Sequence, residues 1–93
     1  MAALPLPEVL TMAQARQTLA RLESAMPSAS AVEIDAQALR TLDSAAIAVL
    51  LQCRRLALAA GKSFAIRGAP DKLGQLAQLY GVNDLLGLAP KPS

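Results

Sequence analysis

Two short β-type segments with one helical stretch between them constrain this chain most. AVEID (residues 31–35) and SFAIR (residues 63–67) alternate in side-chain direction, so Val32 shares a face with Ile34 and Phe64 with Ile66. Between them, residues 44–60 carry apolar side chains at helical spacing, and Gly61 follows as a helix stop. Strand, helix and strand in that order form a crossover between parallel strands.

The flanks extend the pattern. Thr11 and Gln14 form a capping-box pair, and Met12, Ala15, Leu19, Leu22 and Met26 recur every three or four residues, which predicts a helix ending at PSAS (residues 27–30). Arg16, Gln17, Arg21 and Glu23 cover the rest of that helix. Before it, AALPLPEVL sets Leu4 and Leu6 between prolines, which suits an edge strand or an extended arm. AQALRTL (residues 36–42) reads as a loop. After SFAIR, Pro70 opens a third helix with Leu73, Leu76, Ala77 and Tyr80 as its buried stripe and Gly81 as its end. VNDLLGL reads as a last short helical turn, and APKPS as a loose tail.

The expected fold is therefore α/β: a small, mainly parallel sheet with helices packed mainly on one face. The chain has 93 residues, enough for one domain over residues 1–90 with residues 91–93 trailing. Apolar residues make up 54 % and aromatics 2 %, a composition poor in the aromatics of all-β sandwiches.

Several function classes fit poorly. The net charge is +2 and the two aromatics, Phe64 and Tyr80, offer no stacking platform, so nucleic acid is a poor partner. There is no histidine, no Gly-rich phosphate loop and no acid pair with active-site spacing; Ser44 beside Asp43 lacks a general base. No catalytic residue, cofactor or metal site is expected. Cys53 stands alone in an apolar helical segment, which favours a core residue over a reactive thiol near Arg54 and Arg55. No basic segment precedes an apolar run at the start, and residues 45–51 are too few to cross a bilayer, so a cytoplasmic location is expected.

The stretch LDSAAIAVLLQCRR (residues 42–55) carries the functional signal. On a helical wheel, Ala45, Ala46, Val49, Leu50, Cys53, Leu56, Ala57 and Ala60 form one core arc. The opposite arc has Arg54 and Arg55 at its far end, but its start sets Ser44 among Ile47, Ala48 and Leu51. Two readings remain open: a neighbouring loop such as AQALRTL or the last short helix covers Ile47 and Leu51, or they form a docking patch. Either Ser44 or Asp43 can cap the helix; with Asp43 in that role the Ser44 hydroxyl would face outward. A phosphate on Ser44 would meet the helix dipole favourably and Asp43 unfavourably, and would expel an apolar partner.

These motifs resemble the STAS family, the sulfate transporter and anti-sigma factor antagonist domains. The resemblance covers about residues 31–88: Ile34-Asp35 at a strand end, Asp43-Ser44-Ala45-Ala46-Ile47 opening a helix, the Gly61-Lys62 turn, SFAIRG, and QLYGV closing a helix. GAPDKLGQLAQLYGVNDLL looks closest to MlaB-like members, the cytoplasmic subunits of Mla-type phospholipid ABC transporters. The resemblance implies a non-enzymatic accessory protein that binds the transporter's ATPase subunit at the inner membrane and supports outer-membrane lipid asymmetry. An anti-sigma factor antagonist, switched by a partner kinase through phosphorylation of Ser44, is the alternative it allows. The implied partner surface comprises Asp43, Ser44, Ile47, Ala48 and Leu51 on one helix with Pro70 and Lys72 on another. Two departures stand out. The family's opening β-hairpin is reduced to AALPLPEVL, which leaves a sheet edge open or covered by a second copy, as in a homodimer of the isolated chain. The motif's usual glycine is Ala46.

Overall fold

The computed structural model describes residues 3–88. Its elements are β1 (Leu4–Pro5), β2 (Val9–Leu10), α1 (Met12–Ala25), a 3₁₀ turn (Met26–Ser28), β3 (Val32–Asp35), β4 (Thr41–Leu42), α2 (Ser44–Ala59), β5 (Phe64–Arg67) and α3 (Asp71–Leu79). Every strand pair is parallel. One sheet has the order β1-β3-β5, and β2 pairs with β4 beside it. The α/β class, the parallel sheet and the central strand–helix–strand unit match the expectation. Residues 89–93, including the expected tail and the 1–90 boundary, lie outside the described residues.

The strand order dictates where the helices go. β1, β3 and β5 are laid down side by side in chain order, joined through α1 and α2. Right-handed crossovers progressing in one direction place both helices on the same face of a sheet. That face is apolar: Val32 and Ile34 are buried, and Phe64 and Ile66 are half-buried. The other face carries Glu33, Asp35, Ala65 and Arg67, with Arg67 Nη1 donating to Glu33 Oε1 at 3.1 Å. Both partners of that bridge are exposed, so it contributes at most about 1 kcal/mol.

The N-terminal arm is a bent edge strand rather than half of a hairpin. It pairs Leu4 with Ile34, then Val9 with Thr41. Between the two ladders the arm has residues 6–8 and its partner has residues 36–40, so the partner bulges. The bulge turns Ala36 and Leu39 into the core, with Leu42 just beyond, beside Leu6 and Leu10 of the arm. The segment AQALRTL, expected as a loop, thus ends in β4. Two residues are too few to show a strand period; only the arm's proximity makes them one.

Other boundaries shift for similar reasons. Met12, expected on the buried stripe, is the first residue of α1 and is 78 % exposed; Thr18 and Leu22 are buried instead. Tyr80 is also exposed, since α3 stops at Leu79. On α2, Leu56 is half-buried and Ala60 exposed rather than core. Residues 83–88 form a single turn closed by Leu88 N–H donating to the Asn83 carbonyl at 2.8 Å, which buries Leu86 and Leu88. Lys62 Nζ donates to the Met26 carbonyl at 2.8 Å, tying the end of α1 to the turn before β5.

Two glycines differ in what they permit. Gly61 ends α2 at φ 72° with nothing within 4 Å of a notional Cβ. Gly68, at φ 68°, lies against Gln37, whose side chain and backbone would meet a Cβ. Gly61→Ala should therefore lose about 1 kcal/mol, the left-handed strain alone, and Gly68→Ala about 2–3 kcal/mol. Urea denaturation of both variants checks the order.

Candidate functional site

The site forms where the strands end and the helices begin. Asp43, in extended conformation (φ −136°, ψ −166°), is the N-cap of α2. Its Oδ1 accepts from the Ala45 N–H at 2.8 Å, and its Oδ2 accepts from the Met12 N–H at 3.3 Å. One carboxylate thus faces the positive ends of two helix dipoles and satisfies a terminal donor of each. The start of α1 is further secured by Gln14, whose Oε1 accepts from the Thr11 N–H at 3.0 Å and from the Thr11 hydroxyl at 2.7 Å.

With Asp43 as cap, Ser44 is the first residue of α2 and is exposed. Ala48 is exposed and Leu51 half-buried one and two turns on, so the three share a face at spacings of four and three. Met12, whose side chain is exposed, starts α1, and its N–H bond to Asp43 ties that start to the start of α2. Met12 is the site residue that sequence reasoning missed. Its spacing predicts a buried stripe, and its only distinguishing signal is its place directly after the cap.

Ile47 requires a correction. It was placed with Ser44 on the uncovered arc, but it is 4 % exposed and belongs to the core. α2 is contacted by α1, α3 and β5, so its covered arc is wider than a single core face. The AQALRTL side chains Ala36, Leu39 and Leu42 lie in the same cluster as Ile47. Ile47 is therefore covered within the monomer. Ala48 and Ser44 are not.

Ala46 is fully buried and packs within the core without displacing the helix start; its N–H donates to the Asp43 carbonyl at 3.0 Å. Pro70 precedes α3 as its N-cap and is half-buried, while Lys72 is exposed in the first turn. α2 and α3 follow the C-terminal ends of β4 and β5, so their starts lie at one end of the molecule. Among the described residues, neither Pro70 nor Lys72 has a hydrogen bond to Asp43 or Ser44. Asp35 Oδ1 accepts from the Gln37 N–H at 2.9 Å and shapes the turn leaving β3, against Gly68.

Cys53 is a core residue. Burial, and then the Glu23 carboxylate, push its thiol up to about 11, so it is protonated at neutral pH. Among the described residues there is no cluster of three or more metal-ligating side chains. No helix of the described residues is long and apolar enough to cross a membrane.

Two measurements test this account. Asp43→Ala should lose about 1–2 kcal/mol in chemical denaturation, because two helix starts lose an acceptor, whereas Ser44→Ala should stay within about 0.5 kcal/mol. The Cys53 thiol should resist an aromatic disulfide reagent at pH 8 in the folded chain and react once denatured. Because its folded pKa is raised, the stability held by the neutral thiol should be lost as pH climbs from 9.0 towards about 11.

A family model described as "Mlab, STAS domain" matches residues 2–87. A comparison with curated proteins gave no match.

Proposed function

The chain belongs to the STAS family, in its MlaB-type branch, and from that premise we propose that it is a non-enzymatic accessory subunit that docks on the ATPase of an Mla-type phospholipid ABC transporter. Docking at the cytoplasmic face of the inner membrane would support assembly or activity of the complex. The observation that carries the reading is the uncharged face of Ser44, Ala48 and Leu51, extended by Met12, at the start of α2. Small and apolar side chains beside a hydroxyl, with the nearest carboxylate occupied by two N–H groups, make a surface cheap to dehydrate. Pro70 and Lys72, at the same end, would form the rim.

Phosphorylation of Ser44 would add about −1.5 to −2 charges to that surface and oppose docking. The same exposed hydroxyl is what an anti-sigma factor antagonist would present to a kinase, so the partner itself decides between the two roles.

The test is co-purification of the tagged full chain with the ABC ATPase from cells expressing both. Ala48→Glu places a charge on the exposed centre of the face and should abolish recovery of the ATPase while the thermal transition stays cooperative. Leu51→Asp should also lose the ATPase, with some cost in stability because Leu51 packs partly against the core. Ile47→Asp is the contrasting variant: it should unfold the chain, since an unpaired charge would enter the interior. Recovery of the ATPase with Ala48→Glu at the wild-type level would exclude this face. Capture of a GHKL-type kinase, lost on Ser44→Asp, would establish the antagonist role instead.

A further inference from the structure

The sheet has two edges of different character. The edge formed by the arm carries Pro5 and, just beyond, Pro7, which lack the N–H a further strand would need. The opposite edge is β5, Phe64–Arg67, with no proline and no bulge. Its single charge, Arg67, is paired with Glu33 on the outer face.

The direction of the free backbone groups on β5 follows from its ladder with β3. Val32 N–H donates to the Ser63 carbonyl at 2.9 Å and Ala36 N–H to the Arg67 carbonyl at 2.8 Å. The odd-numbered residues of β5 therefore face β3, and the N–H and C=O groups of Phe64 and Ile66 face away from it. Among the described residues, none of these four groups has a hydrogen-bond partner. The side chains of the same two residues, on the helix-bearing face, are only half-buried.

We propose that β5 is a self-pairing edge, on which a second copy of this chain adds its own β5 antiparallel about a two-fold axis at Ala65. Parity selects the register. An antiparallel pair exchanges hydrogen bonds between residues that both point outward, so Phe64 must meet an outward residue of the second copy. Centring on Ala65 sets Phe64 opposite the second copy's Ile66, and Ile66 opposite its Phe64, closing all four free groups. A centre at Phe64 would bring in Lys62, whose N–H is already bonded to the Ala57 carbonyl. A centre at Ile66 would bring in Gly68, where the positive φ turns the chain away.

The side chains agree with that register. On the helix face, Phe64 meets Ile66, an aromatic against a β-branched side chain, twice over. On the outer face, Ala65 meets Ala65, and Arg67 lies opposite the uncharged Ser63. The two arginines are then about 13 Å apart, four residues along the ladder, so no like charges oppose each other. The result is a continuous six-stranded sheet with all helices on one face. The ladder is short, and an interface well under about 1,200 Å² gives a weak, concentration-dependent dimer. The pairing is independent of the docking face on α2.

Sedimentation velocity of the full chain from micromolar to millimolar concentration tests it. The wild type should show a reversible monomer–dimer equilibrium. Ala65→Lys and Ala65→Glu each oppose like charges at the axis and should be monomeric throughout, and an equimolar mixture of the two should recover the dimer. Ala65 is exposed, so both variants should stay folded, Ala65→Glu melting slightly lower because Glu33 lies opposite it on β3. Ala65→Cys should oxidise to a covalent dimer, whereas Ser63→Cys should not, its two sulfurs being far apart. A wild type monomeric at every concentration, with no covalent Ala65→Cys dimer, overturns the proposal. So does a dimer indifferent to charge at residue 65, or a mixture that fails to reassociate.

Discussion

The arrangement depends on β3, the one strand of the main sheet with neighbours on both sides. Its even-numbered residues turn their backbone groups to β5 and its odd-numbered ones turn to the arm, while Val32 and Ile34 go into the core. Because the strands on either side were reached through right-handed crossovers in a single direction, both crossover helices had to settle on one face. Three consequences follow from that constraint. The outer face is left to polar groups such as Glu33 and Arg67, the β5 edge is left without a strand, and the helix starts gather beyond the strand ends.

At those helix starts, the division of labour between two adjacent residues matters most. A helix of the length of α2 needs an acceptor for its first N–H groups, and either Asp43 or Ser44 has the chemistry for it. The carboxylate takes the role and reaches Met12 as well, so the hydroxyl is spared for the surface. An exposed serine among small apolar side chains is then available as a contact point or as an acceptor of phosphate. Neither role requires a general base, a metal or a reactive thiol. The buried, protonated Cys53 belongs to the core, and its function is to fill space.

Strands 32–35 and 64–67, the helix starts at Thr11 and Asp43 and the stop at Gly61 were legible because each has a local cause: alternation, a short polar acceptor, or a glycine with positive φ. β4 was not legible. Its two residues have no periodicity of their own and become a strand only because Val9 and Leu10 lie alongside. Ile47 was placed wrongly for a related reason. A helical wheel gives the angle of a residue but not which elements surround the helix, and α2 packs against α1, α3 and β5. Met12 erred in the opposite sense: its spacing fits the stripe, but the stripe runs out of core before it reaches the end of the helix.

By itself, the sequence determined the kind of each main element, the order in which they occur and that a short polar side chain at residue 43 or 44 caps the middle helix, since these rest on interactions within a few residues. Tertiary structure alone decided which side chains near Ser44 stay in solvent, that the arm runs parallel to β3, and which sheet edge remains unpaired. Those outcomes depend on contacts between residues far apart in the chain, whose side chains and backbone groups have no preference until the other surface arrives.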